Sequence, residues 1–211
     1  MPANPLSRRE LLERCLALGT VTIAAPVSVP AAATAWQQHE KSLPPTPFCE
    51  LGPFYKRLAP KTGSLRGPSD PGLPLSVAGR VFSVRGDALP EAVIEVWQAD
   101  HLGRYDNEGY RYRARLRPNG KGKYEFDSVM PGHYPARVCQ HIHYLVIAPG
   151  HKPLTTQLYF ATDPAFEGDP DKNYGRDPLI TSRELVRPVT LTGDPQQVLA
   201  AVHFDIVLEK L

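Results

Sequence analysis

The stretch KYEFDSVMPGHYPARVCQHIHYLVIA, residues 123–148, contains two apolar segments separated by a Pro-Gly pair. In the first segment Tyr124 and Phe126 fall on one face, as they do in a half-buried β-strand. The second segment, from His141 onwards, is a continuous apolar run of the kind found in a buried strand, yet it carries two histidines. A strand, a turn and a second strand in so short a span predict a β protein.

Further strand patterns flank this stretch on both sides. They are the runs SVAGRVFSV (76–84), EAVIEVWQA (91–99), TTQLYFAT (155–162) and AVHFDIVLEKL (201–211). Asn119-Gly120 is a strong hairpin signal, and beyond the N-terminal segment only a short helix is predicted, at Asp163–Phe166. About seven short strands joined by turns predict an all-β fold, an antiparallel β-sandwich with extended loops.

The N-terminal residues 1–35 have the pattern of an export signal. Arg8 and Arg9 form an arginine pair, a mostly apolar stretch follows over Leu16–Ala33, and small residues end it near Ala35. Charges and prolines interrupt the segment, so it is not predicted to span the membrane. The pattern predicts a twin-arginine signal, cleaved near Ala35, and a periplasmic or extracellular mature protein. An ordinary amphipathic N-terminal helix is the alternative.

The remaining chain divides into a proline-rich part and a strand-rich part. Residues 36–75 are predicted to form an extended arm and loops, and residues 76–211 the β-sandwich core. The net charge is +2, without a basic stripe, which argues against a nucleic-acid partner. Both a homo-oligomer and a hetero-oligomer are compatible with the sequence. Cys49 and Cys139 are predicted to be buried thiols, with a single disulfide as the alternative.

The HxH pair is the first candidate for chemistry. Side chains alternate faces along a strand, so His141 and His143 project together, with Cα atoms roughly 6–7 Å apart. Two imidazoles placed in this way can converge on one metal ion. By themselves they are equally compatible with two ordinary half-buried histidines.

Two tyrosines near strand ends strengthen the metal hypothesis. Tyr134 follows the Pro131-Gly132 turn, and Tyr105 lies in HLGRYDNEGY after the strand that ends near Trp97. A neutral phenol is a poor ligand for zinc, whereas a trivalent cation favours the phenolate. Phenolate oxygen together with imidazole nitrogen suits ferric iron. The alternative for each tyrosine is a structural hydroxyl, the role that we expect for Tyr110, Tyr112 and Tyr124.

At this point the sequence resembles a known family, the intradiol ring-cleavage dioxygenases. The resemblance runs from about Thr46 to Asp163. It is carried by TPFCELGPFY, by AGRVFSV and LPEAVIEVWQADHLGRYDNEGY, and by GKYEFDSVMPGHYP, QHIHYLV and TTQLYFATDP. Tyrosine, tyrosine and HxH occur in the family's order and contexts. The family's β-sandwich fold agrees with the strand pattern.

The resemblance implies a non-haem iron(III) cofactor held by Tyr105, Tyr134, His141 and His143. It also implies catechol-type substrates and O2 as the small-molecule partners, with cleavage between the two hydroxyl-bearing carbons to a muconate-type diacid. Tyr134 corresponds to the tyrosinate that the substrate displaces. The other three residues are then expected to stay on the metal.

Two further catalytic residues follow from the resemblance. An arginine before the HxH pair stabilises developing carbanion character in the family, and Arg137 is the candidate here. It lies four residues before His141, whereas the family commonly has three. Gln157 in TTQLYF matches a glutamine beside the metal ligands. The alternatives are a surface charge for Arg137 and an ordinary strand hydrogen bond for Gln157.

The sequence departs from the family pattern near its start. In TPFCELGPFY, Cys49 replaces a frequent glutamine and Leu51 a frequent glutamate. This loop lies near the site entrance in the family, so a changed substrate preference is expected. The short segment before the first strand leaves no room for the helical dimerisation domain of the catechol 1,2-dioxygenase branch, and a compact core like that of protocatechuate 3,4-dioxygenase is expected.

Two other classes of protein compete with this interpretation. GKYEFDSVMPGHY is similar to transthyretin-like domains, which are non-enzymatic β-sandwich binding modules. Such domains give no reason to combine Tyr105 with the HxH pair. A zinc hydrolase built on HxH is the third class, but Tyr144 and Leu145 stand where a nearby carboxylate ligand is usual.

Overall fold

The computed structural model describes residues 42–135, 137–194 and 198–211. The predicted export signal, residues 1–35, lies outside these ranges. No helix within the described part is long and apolar enough to cross a membrane.

Ten short strands account for most of the regular structure in the described part of the chain. They are β1 (Pro74–Ser83), β2 (Val93–Trp97), β3 (Arg113–Leu116), β4 (Lys123–Val129), β5 (His141–Ile147), β6 (Leu154–Phe160), β7 (Val186–Arg187), β8 (Val189–Thr192), β9 (Leu199–His203) and β10 (Ile206–Leu208). The helix α1 (Pro170–Asn173) and the 3₁₀ turns Pro164–Phe166, Tyr174–Arg176 and Arg183–Leu185 lie between β6 and β7. Residues 42–73 form loops and turns, with one isolated bridge at Ser64.

The first sheet is organised by β1, the longest strand. One edge of β1 pairs antiparallel with β4, and the other edge pairs parallel with β9 and then with β10. Strand β8 adds antiparallel to β9. The second sheet has the order β3-β2-β5-β6-β7, in which β7 alone is parallel to its neighbour.

The two sheets enclose one apolar core. From β5, Tyr144 points towards the first sheet, where its ring lies 6.3 Å from that of Phe126 and 5.3 Å from that of Phe204. Ile142 and Val146 share this face and are fully buried. Burying a large apolar side chain contributes roughly 1.5–3 kcal/mol, so this shared face holds the sandwich together.

The predicted fold class is confirmed as an all-β sandwich, with three pairings that are parallel rather than antiparallel. They involve β7, β9 and β10, which reach their partners through longer connections than a two-residue hairpin allows. The short helix predicted at Asp163–Phe166 is confirmed as a 3₁₀ turn. Its capping residue Asp163 accepts a hydrogen bond from the backbone N–H of Ala165.

The prediction of a hairpin at Asn119-Gly120 is wrong, because the strands before and after the turn do not pair with each other. The turn itself is present, because the N–H of Asn119 donates to the carbonyl of Lys123 at 2.8 Å. However, β3 before the turn pairs with β2, and β4 after it pairs with β1 in the other sheet. The turn therefore carries the chain between sheets, and tertiary pairing overrides the local hairpin signal.

The prediction of buried thiols is confirmed, because Cys49 and Cys139 are both free and buried. The Cys49 thiol contacts the carbonyl of Leu179 and the hydroxyl of Thr181. Burial, reinforced by nearby carboxylates, raises the pKa of Cys139 to about 12, so its thiol stays protonated and unreactive.

Candidate metal centre

Strand β5 presents its two histidines on the face of the second sheet that points away from the core. Ile142 and Tyr144 point into the sandwich, so His141 and His143 between and beside them project to the opposite side. The register with β6 places Tyr159 opposite His141 and Gln157 opposite His143. Four polar side chains thus share one patch of the outer face, where loops cover and bury them.

The two predicted tyrosine ligands reach this patch from loops. Tyr105 comes from the loop between β2 and β3, and Tyr134 from the loop between β4 and β5. The Tyr134 hydroxyl lies 3.3 Å from Nε2 of His141, and the Nε2 atoms of His141 and His143 are 3.2 Å apart. The Tyr105 ring stands edge-on to the Tyr134 ring, with centroids 5.6 Å apart. The structure therefore brings all four predicted ligands together.

The Tyr105 loop is fixed by aromatic stacking and by a buried arginine. Phe54 stacks on Tyr105 with ring centroids 4.1 Å apart. Arg113 on β3 donates to the carbonyl of Phe54 at 2.6 Å and to that of Asp106 at 3.2 Å. One guanidinium thus ties the two ring-bearing loops to each other, which limits the movement of the Tyr105 hydroxyl.

The histidine rings are oriented by neighbours other than the tyrosines. Nδ1 of His141 donates to the carbonyl of Cys139 at 2.8 Å, so its Nε2 carries the lone pair and accepts from Arg137 at 3.1 Å. The His143 ring lies parallel to the indole of Trp97, with centroids 5.0 Å apart and an interplanar angle of 4°. Nε2 of His141 thus lies beside the Tyr134 hydroxyl, and Nε2 of His143 lies beside Nε2 of His141.

The protonation states of this cluster suit metal binding. Burial and the nearby Arg137 charge lower the pKa of His141 to about 3, and burial lowers the pKa of His143 well below its ordinary value. Both imidazoles are neutral at neutral pH and can donate lone pairs. Burial raises the pKa of both Tyr105 and Tyr134. Their phenolates therefore need a nearby cation to form.

The donor set fits a hard, highly charged cation. The Tyr105 hydroxyl is buried and makes no hydrogen bond of ordinary geometry among the described residues, with the Tyr134 hydroxyl as its polar neighbour, so its oxygen is available to a cation. Within the described ranges, no three His, Cys, Asp or Glu side chains form a metal site. The tyrosines lie against the HxH pair and are the candidate ligands beside it, and two phenolates balance a trivalent charge better than a divalent one.

Arg137 lies at the centre despite its unexpected spacing from His141. Its backbone N–H donates to the carbonyl of Tyr134 at 2.9 Å, so the chain turns back between them and the side chain returns to the site. Its guanidinium also donates to Gln157 Oε1 at 3.0 Å and to the Tyr159 hydroxyl at 2.7 Å. Asp177 lies 3.4 Å away, and the side chains of this ion pair are only 6% and 2% exposed.

A cavity of about 380 Å³ opens beside the cluster, towards the lower end of the range for small-molecule sites. Tyr134, Arg137, His143 and Gln157 line its inner part. Its outer wall comes largely from the loop after Cys49 and from two residues of other loops: Glu50, Gly52, Pro53, Phe54, Pro135 and Leu179. Cys49 and Leu51, the two departures from the family pattern, are not among the lining residues.

Gly52 allows the entrance loop to pass against the HxH pair. It has a φ of +72°, and a Cβ added there would lie 3.1 Å from Cε1 of His143. We expect Gly52→Ala to destabilise the fold by about 1–2 kcal/mol, because alanine would have to adopt a left-handed backbone conformation. The added methyl group should also displace His143 and weaken metal retention. Metal content after dialysis and denaturant unfolding measure the two effects.

Gly150→Ala is the matched control for this prediction. Gly150 has a φ of +70° but nothing within 4 Å of an added Cβ. It should lose similar stability and keep its metal. Equal metal retention in the two variants would show that the contact between Gly52 and His143 is unimportant.

Several side chains of the centre were not predicted from the sequence. Asp177 and Tyr159 complete the surroundings of Arg137, and Trp97 stacks on His143. The register β2–β5 brings Trp97 opposite His143, and no pattern in the sequence reveals that register. Tyr110 and Tyr124, predicted to be structural, donate to the carbonyls of Arg57 and Phe204 respectively.

The fold and the site together define a β-sandwich with a candidate centre of two tyrosines and two histidines beside a small cavity. A family model described as "Dioxygenase" matches residues 50–210, nearly the whole described chain. The chain belongs to the intradiol ring-cleavage dioxygenase family.

Curated relatives come from both branches of this family. Catechol 1,2-dioxygenase 2 of Acinetobacter lwoffii is 36% identical over 148 residues, covering 56% of this chain and 52% of the relative. The protocatechuate 3,4-dioxygenase beta chain of Burkholderia cepacia is 34% identical over 133 residues, covering 52% and 55%. The chain thus spans about half the length of these relatives, and their similar identities do not favour one branch.

Among solved structures, the chain is similar to the dioxygenase domain of a dioxygenase carbohydrate-binding protein fusion from Streptomyces sp. SirexAA-E. The identity is 34% and the TM-score 0.69, and the match covers 80% of this chain and 100% of that one. The similarity therefore extends over that whole catalytic domain.

Proposed function

We propose that this chain is a non-haem iron(III) dioxygenase that cleaves catechol-type rings between their two hydroxyl-bearing carbons. With O2 the product is a muconate-type diacid. The observation that carries the proposal is the convergence of Tyr105, Tyr134, His141 and His143 beside a small cavity, with the Tyr105 hydroxyl buried and without a hydrogen bond of ordinary geometry. These four residues would hold the iron(III), which when bound supplies Lewis-acid activation of the diol.

Tyr134 is the tyrosine placed to exchange a proton with the substrate. It lines the cavity, whereas Tyr105 lies outside the lining. Burial raises the pKa of Tyr134, so once its oxygen is free of a cation it takes up a proton readily. We assign to the Tyr134 oxygen the uptake of one proton from the incoming diol.

Arg137 and Gln157 form the polar inner wall of the cavity. The Arg137 guanidinium is held by four neighbouring groups and stays charged, so it can stabilise negative charge that develops on the ring without having to move. Gln157 accepts from Arg137 and donates to the carbonyl of Glu50 at 2.9 Å. It therefore couples the position of the arginine to that of the entrance loop.

Apolar side chains exclude water from the remaining cavity walls. Pro53, Phe54, Pro135 and Leu179 offer surfaces for the flat ring of a catechol. A transthyretin-like binding module would need neither the buried phenol of Tyr105 nor the two neutral buried imidazoles, so these features count against the non-enzymatic alternative.

Oxygen uptake with a panel of catechols tests this function. The metal-loaded protein should consume one O2 per catechol and release a muconate-type diacid, identified by mass and absorption. No uptake with any catechol, or release of the semialdehyde formed by cleavage next to the diol, would contradict the proposal.

Replacing Tyr134 by phenylalanine should separate metal binding from turnover. Three of the four ligands remain, so the variant should keep its iron with an altered visible spectrum. Turnover should fall by about 10²-fold or more, because the proton acceptor is lost. Tyr110→Phe, which removes an exposed hydroxyl bound to the carbonyl of Arg57, is the control. Unchanged turnover in Tyr134→Phe would remove Tyr134 from this role.

We propose in addition that residues 1–35 direct export through the twin-arginine route. The supporting pattern is the pair Arg8 and Arg9 before an apolar stretch and small residues near Ala35. Arg8→Lys with Arg9→Lys keeps the charge and should leave unprocessed protein in the cytoplasm. Processing and export of this variant at the normal rate would contradict the proposal.

A further inference from the structure

Asp163 is a buried carboxylate that joins two loops of the second sheet. It lies three residues after β6, and its side chain is fully buried. Oδ1 accepts from the N–H of Ala165 at 2.8 Å, and Oδ2 accepts from the N–H of Gln140 at 2.6 Å. Nε2 of His133 lies 3.0 and 3.2 Å from the two oxygens. Because an ionised carboxylate only accepts, the imidazole is the donor. Asp163 thus ties the connection between β6 and β7 to two points of the loop between β4 and β5.

These two points enclose Tyr134 and Arg137. His133 directly precedes Tyr134, and Gln140 is the last residue before β5. The side chain of Gln140 closes the same base, because its Nε2 donates to the carbonyl of Pro131 at 2.7 Å. Loops of this length whose ends are held together are compact. We call the residues that close this loop the clasp: Pro131, His133, Gln140 and Asp163.

Tyr134 itself has few fixed contacts among the described residues. Its hydroxyl lies 3.3 Å from Nε2 of His141, which is long for a hydrogen bond, and its ring meets that of Tyr105 edge-on. Asp177 adds one bond to the same loop, from the N–H of Cys139 at 3.2 Å. The position of the Tyr134 oxygen therefore depends on how firmly the base of its loop is held.

We propose that Asp163 is a positioning residue for the reaction, which acts through the clasp on Tyr134 and Arg137. The inference rests on the proposed function, in which Tyr134 takes up a proton and Arg137 stabilises developing charge. Asp163 does not line the cavity. A displacement of about 1 Å at a reacting group can cost on the order of 10²-fold in rate, so a loosened base of the loop is enough to slow turnover.

Asp163→Asn tests the clasp with little change in shape. Asparagine is as good a cap as aspartate, so the bond to Ala165 can remain. Its NH2 group then faces the N–H of Gln140, and the clasp loses that acceptor. In the purified protein we expect the backbone amides of Arg137 and Gln140 to exchange hydrogen about 10- to 100-fold faster, the factor for losing a hydrogen bond to a charged group. Amides of β1, in the other sheet, should keep their rates.

The same variant should show an altered visible spectrum and lower turnover. In the metal-loaded protein we expect kcat to fall by about 10²-fold, and KM to change much less because Asp163 lies outside the cavity lining. The part of the absorption that is lost in Tyr134→Phe should weaken or shift. A purely structural role of Asp163 would change neither kcat nor the spectrum at a temperature where the variant is folded.

Asp169→Asn is the matched control for this substitution. Asp169 is an exposed aspartate in the same connection, where it caps α1 and accepts from the N–H of Lys172 at 3.1 Å. Its exchange rates, spectrum and kcat should equal those of the unmodified protein. His133→Ala is a second test, which removes one bond of the clasp and leaves Asp163 with its cap. The amides of Arg137 and Gln140 should then exchange faster by a smaller factor, even if Asp163→Asn proves unstable.

The outcomes separate this inference from the proposed function. Unchanged exchange at Arg137 and Gln140 in both variants, or equal acceleration in β1, would overturn the clasp. Faster exchange at these amides with normal kcat and spectrum would overturn the role of Asp163 in the reaction while leaving the dioxygenase assignment standing. No turnover of any catechol by the unmodified protein would overturn the proposed function and the catalytic part of this inference, whereas the exchange rates would still decide whether the clasp holds the loop.

Discussion

His143→Ala is expected to abolish retention of iron. The imidazole is fully buried, stacked on Trp97 and confined by Gly52, so its Nε2 has one fixed direction, towards His141. Loss of a residue that only orients a ligand already lowers metal affinity by about 10–100-fold, and loss of the ligand itself should exceed that range. Iron per chain after dialysis, together with the visible spectrum, measures the effect.

A second histidine provides the control for this experiment. His203 at the end of β9 is exposed and pairs with Asp205 at 2.9 Å, far from the candidate centre in the other sheet. His203→Ala should keep full iron and turnover. Full iron occupancy in His143→Ala would remove His143 from the ligand set.

Arg137→Met is expected to lower turnover by about 10²- to 10³-fold, the cost typical of removing one group that stabilises developing charge. Iron content should fall much less, because Arg137 contacts the ligand His141 without being a ligand itself. The variant should also lose about 3–5 kcal/mol of stability, since the carboxylate of Asp177 stays buried without its partner. Steady-state kinetics, metal analysis and urea unfolding measure these three effects separately.

The double variant Arg137→Met with Asp177→Asn separates stability from catalysis. It removes the unpaired buried charge, so much of the unfolding free energy should return. Turnover should stay low, because the cation at the cavity is still missing. Normal kinetics in Arg137→Met would show that Arg137 contributes to stability and has no role in catalysis.

The sequence predicted the position of a site residue best where that position depends only on the alternation of side chains within one strand. The two-residue spacing of His141 and His143 places them on one face of any strand, and β5 has them there. The spacing of Arg137 suggested a residue out of place. A turn whose backbone bond joins Arg137 to Tyr134 brings the guanidinium back to the site, and this turn could not be derived from spacing alone.

Features that depend on which strands pair were less predictable. Asn119-Gly120 has the residues of a hairpin turn, yet the strands on either side of it pair in different sheets. Likewise, Asp177 lies 40 positions after Arg137 in a segment without strands. Its role arises only when the loops fold over β5 and β6.

We propose that two tyrosines and two histidines of this chain hold ferric iron. Metal analysis combined with visible absorption of the purified protein tests it most directly. We expect about one iron per chain, the number that one four-residue site can hold. We also expect a reddish colour from tyrosinate-to-iron(III) charge transfer, which should change in Tyr134→Phe. A colourless protein with stoichiometric zinc would contradict it.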